Sequence, residues 1–87
     1  MIDREVMAKK IKDRINEICT GFSFDYKGRR WFIDPYSRSD FAMWDCDNDS
    51  DEAYIRVDSI DKVMDTPFFD GKSLNEIANV IKNIDGL

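Results

Sequence analysis

Asp45, Asp47, Asp49 and Asp51 stand two residues apart, a spacing at which carboxylates can line one side of a loop and hold a hard cation. They fill positions 1, 3, 5 and 7 of an EF-hand-like calcium frame. The rest of the frame departs from it. Position 6, where glycine makes the sharp turn, holds Ser50; position 8, usually aliphatic, holds Glu52; position 12, where a bidentate Glu belongs, holds Arg56. A cation at the last position opposes a bound ion, and the flanks read as strands rather than helices. No metal site is therefore expected here.

The same acids suggest a second chemistry. Carboxylates arrayed on a small protein can mimic the phosphates of DNA and be drawn into the basic channel of a host nuclease or restriction-type enzyme. Residues 40–70 hold ten acidic and two basic groups. Asp45, Asp47, Asp49, Asp51 and Glu52 are the candidate mimic surface. A net charge of −5 is modest for a dedicated mimic. It is nonetheless enough to set the chain against DNA and anionic lipid.

Catalytic chemistry is thinly provided. The chain has no histidine, which removes the usual general base, the Ser-His and Cys-His pairs and the commonest zinc ligand. Cys19 and Cys46 cannot complete a zinc site alone, and two cysteines are too few for a disulfide framework. Catalysis by carboxylates alone needs two acids roughly 5–9.5 Å apart in a cleft, and 87 residues leave little interior for one. No catalytic residue and no cofactor is expected. Arg29, Arg30 and Arg38 lie near Trp31, Phe32 and Tyr36, a mixture that can bind single-stranded nucleic acid on a sheet. The RRM signature is missing and the acidic half opposes it, so direct nucleic-acid binding is not expected.

The elements that position these residues follow from periodicity. Met7, Ile11, Ile15 and Ile18 fall four, four and three apart, widened by Ala8 and Cys19, and predict an amphipathic helix over 3–19. Ile2 and Val6 lie nearly opposite that stripe. Gly21 stands where a helix end favours a residue tolerant of positive φ. Phe22, Phe24 and Tyr26 then alternate with Ser23 and Asp25, and Lys27-Gly28 makes a tight turn into a strand over 29–34. A two-residue loop sets Tyr26 opposite Arg29, Asp25 opposite Arg30, Phe24 opposite Trp31 and Phe22 opposite Ile33. That register gathers Phe22, Phe24, Trp31 and Ile33 on one face and puts Phe32 on the other, beside the Asp25–Arg30 pair.

Asp34-Pro35 is expected to end the strand, since proline cannot donate to a ladder. A third strand spans Phe41 to Asp45 or Cys46 and a fourth runs Ala53 to Val57, with the acidic loop between them. Asp58 or Ser59 caps a short helix through Met64, which stops before Pro67. Ser73-Leu74-Asn75-Glu76 is a capping box, and Leu74, Ile77, Ile81 and Ile84 predict a last helix ending at Asp85-Gly86.

Two stretches carry a resemblance. Phe-Asp-Tyr-Lys-Gly-Arg-Arg-Trp-Phe-Ile and the later Phe-Asp-Gly-Lys-Ser-Leu-Asn-Glu-Ile are similar to segments of small uncharacterised α+β proteins of Gram-positive bacteria and their phages or integrative elements. The likeness covers residues 21–84. It implies a cytoplasmic bacterial setting and brings no active site.

The fold expected is α+β, in one domain over 1–87: an antiparallel four-stranded meander with an N-terminal helix and C-terminal helices packed on one face. No signal peptide opens the chain, and no apolar run approaches the ~20 residues of a membrane span. A cytoplasmic protein without membrane contact is the expectation. Unless the 59–65 helix or Phe68-Phe69 folds over the second face of the sheet, Phe32 and Trp44 lie there together. They are the candidate interface for a protein partner or a homodimer. The function expected is a non-enzymatic binding or regulatory module; the alternative is the acidic nucleic-acid mimic.

Overall fold

The computed structural model describes residues 3–17, 21–48 and 53–86. Helix α1 (Arg4–Glu17) opens where the Glu5 N–H donates to the Asp3 carboxylate at 2.8 Å. Ala8, Ile11 and Ile15 are its buried stripe, with Met7 packed beside them, and Val6 faces solvent on the other side. Ile18 and Cys19, the expected end of that stripe, lie outside the described residues, as does Ile2.

Strands β1 (Phe22–Tyr26) and β2 (Arg29–Ser37) form the expected hairpin in the expected register, from Tyr26↔Arg29 to Phe22↔Ile33. Lys27 and Gly28 both have positive φ, 56° and 72°, which matches the twist of a two-residue hairpin turn. Strand β2 does not stop before Pro35 as expected. It continues through Pro35, opposite Phe41 of β3 (Asp40–Asp45), and shifts register only between Pro35 and Ser37. The reason lies on its other side. β1 starts opposite Ile33, so at Pro35 the strand has a neighbour on one side alone, where a missing N–H is tolerated. Strand β4 (Tyr54–Val57) pairs with β3 without interruption.

Helix α2 (Ile60–Asp65) is capped by Ser59, whose hydroxyl accepts from the Lys62 N–H at 3.1 Å. Helix α3 (Leu74–Ile77) carries the expected capping box: Ser73 Oγ accepts from the Glu76 N–H, and Glu76 Oε1 accepts from the Ser73 N–H. It makes a single turn. The long last helix is overturned: residues Lys82–Asp85 are a strand, β5, antiparallel to β1. The sheet therefore has five strands in the order β4-β3-β2-β1-β5, not four. Without β5 the N–H and C=O groups of β1 would face outward unpaired. Three contacts fasten the new edge: Arg30 Nη1 donates to the Asn83 carbonyl at 2.7 Å, the Asn83 amide donates to Asp25 at 2.7 Å, and Arg14 Nε donates to the Gly86 carbonyl at 2.7 Å. Ile81 and Ile84 still pack on the core, but from a turn and a strand rather than from a helix.

One core joins the two layers. Phe22, Phe24, Trp31, Ile33, Phe41 and Met43 of the sheet meet Ile11, Ile15, Val63, Met64, Leu74 and Ile77 of the three helices. Phe69 closes it, 5.4 Å from Phe24 and 5.3 Å from Trp31 between ring centroids. Each such side chain contributes about 1.5–3 kcal/mol when fully withdrawn from water. Among the described residues no helix is long and apolar enough to cross a membrane.

Candidate functional site

The second face of the sheet carries the residues that alternate with the core. The ladder places Ser23, Phe32, Trp44 and Tyr54 in one row across four strands. Phe32 and Trp44 stack with centroids 4.7 Å apart and planes 21° apart, and Trp44 and Tyr54 follow at 6.1 Å and 25°. Offset stacking of this kind adds about 0.5–1.5 kcal/mol per pair beyond area burial. Met43 turns to the core, and the structure thus brings together Phe32 and Trp44 on the other face. The helix and phenylalanine segment that could have covered them do not. Phe68 and Phe69 pack edge-on against Trp31, on the core face.

A second cluster adjoins the row. Arg56 holds its guanidinium 4.8 Å from the Tyr36 ring, donates to both carboxylate oxygens of Asp40 and reaches Tyr54 Oη at 3.4 Å. Asp40 and the tyrosine hydroxyl keep this guanidinium firmly charged. Desolvation, with Asp34 beside it, pushes the Tyr36 phenol above its ordinary value. Tyr36 and Tyr54 are 55% and 43% exposed. Tyrosine, tryptophan and arginine are the residue types that anchor interfaces most often, and here all three adjoin on one open face. Sequence reasoning missed Tyr54 and Arg56 as contact residues and named Tyr36 only within the arginine–aromatic mixture. Pro35 had removed Tyr36 from the strand, and the connection before β4 left the register of Tyr54 and Arg56 open.

Two carboxylates on this face, Asp25 and Asp40, are paired. Arg30 donates to Asp25 at 3.0 Å and to Ser23 Oγ at 2.8 Å. The Asn83 amide and then Arg30 hold the Asp25 carboxyl below its usual range. Asp40 is taken up by Arg56. Carboxylates so engaged suit a surface that binds better than one that moves protons.

The acidic candidates divide. Asp45 is only 2% exposed. It accepts from Arg29 Nη1 at 2.9 Å and from the Asp47 N–H at 2.9 Å, while Asp47 accepts from the Arg30 N–H at 2.9 Å. These two side chains build the turn that leaves β3, and Asp45 is not part of the surface. Asp49, Asp51 and Glu52 lie outside the described residues. Of the calcium frame, the first residue, Asp45, is turned onto Arg29, and the last, Arg56, onto Asp40. A recess of about 210 Å3 lies between Arg29, Trp31, Asp45, Phe68 and Asp70. The Arg29 guanidinium sits 4.6 Å from the Trp31 ring and pairs with Asp45 at 2.9 Å and Asp70 at 3.2 Å, so the cation of this recess is engaged within the fold.

No family model matches this chain, no curated protein matches it and no solved structure matches it.

Proposed function

We propose that the chain is a non-enzymatic binding or regulatory module whose protein partner docks on the open sheet face. The observation that carries this is the stacked row Phe32–Trp44–Tyr54 on a face that no described helix covers. Phe32 and Trp44 are half-buried and Tyr54 is exposed, so the row presents apolar surface to solvent that a partner would cover. Arg56 and Tyr36 beside the row add the polar rim that gives such a contact its direction. The bacterial, mobile-element setting implied by the sequence resemblance belongs to the same proposal. So do the cytoplasmic location, in keeping with the free thiol of Cys46, and the absence of nucleic-acid and membrane partners, in keeping with a charge of −5. Phosphate mimicry draws less support, because Asp45 and Asp47 are engaged within the fold.

The test compares immobilised wild type with a Phe32→Ser/Trp44→Ser variant in lysate of the native host. Both rings lie outside the core cluster, so the variant is expected to keep its helical and sheet signature. A partner held by the wild type and released by the variant is the expected result. Equal capture by both would overturn the proposal, and capture that moderate salt abolishes but the double substitution leaves intact would point to the acidic surface instead.

A further inference from the structure

The two edges of the sheet are unlike. β5 carries the devices that keep an edge from pairing further. Its ladder shifts register between Ser23 and Asp25, Asn83 sits at φ 51°, and Lys82 and Asp85 place charges along it. β4 is equally short and carries one charge, but its ladder has no register shift and none of its residues has a positive φ. Its pairing runs unbroken from Phe41↔Val57 to Trp44↔Tyr54, and Tyr54-Ile55-Arg56-Val57 contains no proline, glycine or lysine. Its one charge, Arg56, is turned inward onto Asp40 of β3. Among the described residues no strand pairs with the outer side of β4.

The aromatic row ends at this edge. Tyr54 stacks on Trp44 and remains 43% exposed, while Ile55 and Val57 point to the other face and are only partly buried against the core. An incoming strand would therefore find free backbone groups, a ring to extend on one side and an apolar shelf on the other. Charge selects the occupant. By sequence, residues 40–58 hold seven carboxylates and one cation; Asp40, Asp45 and Asp58 are paired with Arg56, Arg29 and Lys62, and the remaining acids leave the stretch negative. A second copy would bring two such stretches together and be repelled; a basic segment would be attracted.

Resting on the protein-contact function proposed above, we propose that β4 is a docking edge for an extended, basic segment of the partner, which adds to the sheet as its sixth strand. Main-chain hydrogen bonds along four residues hold the segment, and a cation or aromatic ring opposite Tyr54 continues the row.

Panning a display library of random linear peptides against the full chain tests this. Recovered peptides are expected to carry net positive charge, to alternate apolar residues and to bind more weakly as salt rises. Their binding is expected to slow amide exchange in 54–57 and leave 82–85 unchanged. Tyr54→Lys, at an exposed site away from the core, places a cation at the end of the row and is expected to weaken binding by roughly tenfold or more, while Tyr54→Phe retains it. Recovery of neutral or acidic peptides, recovery of none, protection elsewhere, or pairing of two copies through β4 overturns the inference. Peptides released by Phe32→Ser/Trp44→Ser yet indifferent to Tyr54→Lys overturn the edge and leave the face contact standing. Indifference to both variants removes both.

Discussion

Gly21 shows how a single residue can serve a purpose its local sequence does not announce. Its position after a helix suggests a left-handed end, yet its backbone is not in that region. A Cβ built there would lie 1.9 Å from Phe32 Cζ. The glycine is required because the ring of Phe32, on a different strand, rests on its backbone, and that ring is the inner end of the aromatic row. Gly21→Ala is expected to displace Phe32 from its stack on Trp44 and destabilise the domain by about 1–3 kcal/mol, the usual cost of an overpacked site. Denaturant melts and near-ultraviolet circular dichroism check it. Phe32→Ala added to Gly21→Ala should recover much of the loss; strictly additive effects would show that the two residues are not coupled. The capping box at Ser73, by contrast, was legible at once, because both of its hydrogen bonds join residues three apart. Asp45 was misplaced for the opposite reason. Its partner Arg29 is sixteen residues away, and nothing local distinguishes a buried aspartate from its exposed neighbours.

At the scale of elements, the β1–β2 hairpin was readable down to its register, because alternation and a two-residue turn fix it together. The C-terminal segment was not. Leu74, Ile77, Ile81 and Ile84 keep helical spacing, and all four contribute to the core. What makes 82–85 a strand is the free edge of β1, which is remote in sequence. Asp25, Arg30 and Asn83 secure the pairing, and it should respond to pH. Hydrogen bonds from Asn83 and then Arg30 lower the Asp25 pKa in the folded state. A lowered folded value means that its stabilisation is present above the ordinary carboxylate range and is lost as pH falls through the folded value. Amides in 82–85 should therefore lose protection, relative to their intrinsic exchange rates, on strong acidification, before the core opens. Asn83→Gly removes the amide donor without opposing the positive φ, and should move the Asp25 titration up toward the ordinary range. An Asp25 titration that is the same in both proteins would sink this account.

The whole molecule is a two-layer plate. Its smallest extent is 20 Å, room for one sheet and one layer of helices at a layer spacing of about 10 Å, and not for helices on both sides. One large face is thus left to solvent, and on it the carboxylates Asp25 and Asp40 are matched by Arg30 and Arg56. Asp34 and Asp85 add acid to the same face without an ion pair among the described residues. At neutral pH the surplus negative charge, −5 in all, keeps copies apart although the aromatic face is open. Near the isoelectric point expected from composition, about pH 4.6, the net repulsion vanishes. The face then meets no opposing net field. Self-association is expected to peak near pH 4.6, to fall again as acidification makes the chain cationic, and to involve the aromatic row. Sedimentation velocity and light scattering across that range check it, with Phe32→Ser/Trp44→Ser as the comparison. Both proteins have the same charge at every pH, so a general loss of colloidal stability would make them associate alike. Association confined to the wild type would identify the row as the contact, and equal association in the variant would show that it is not.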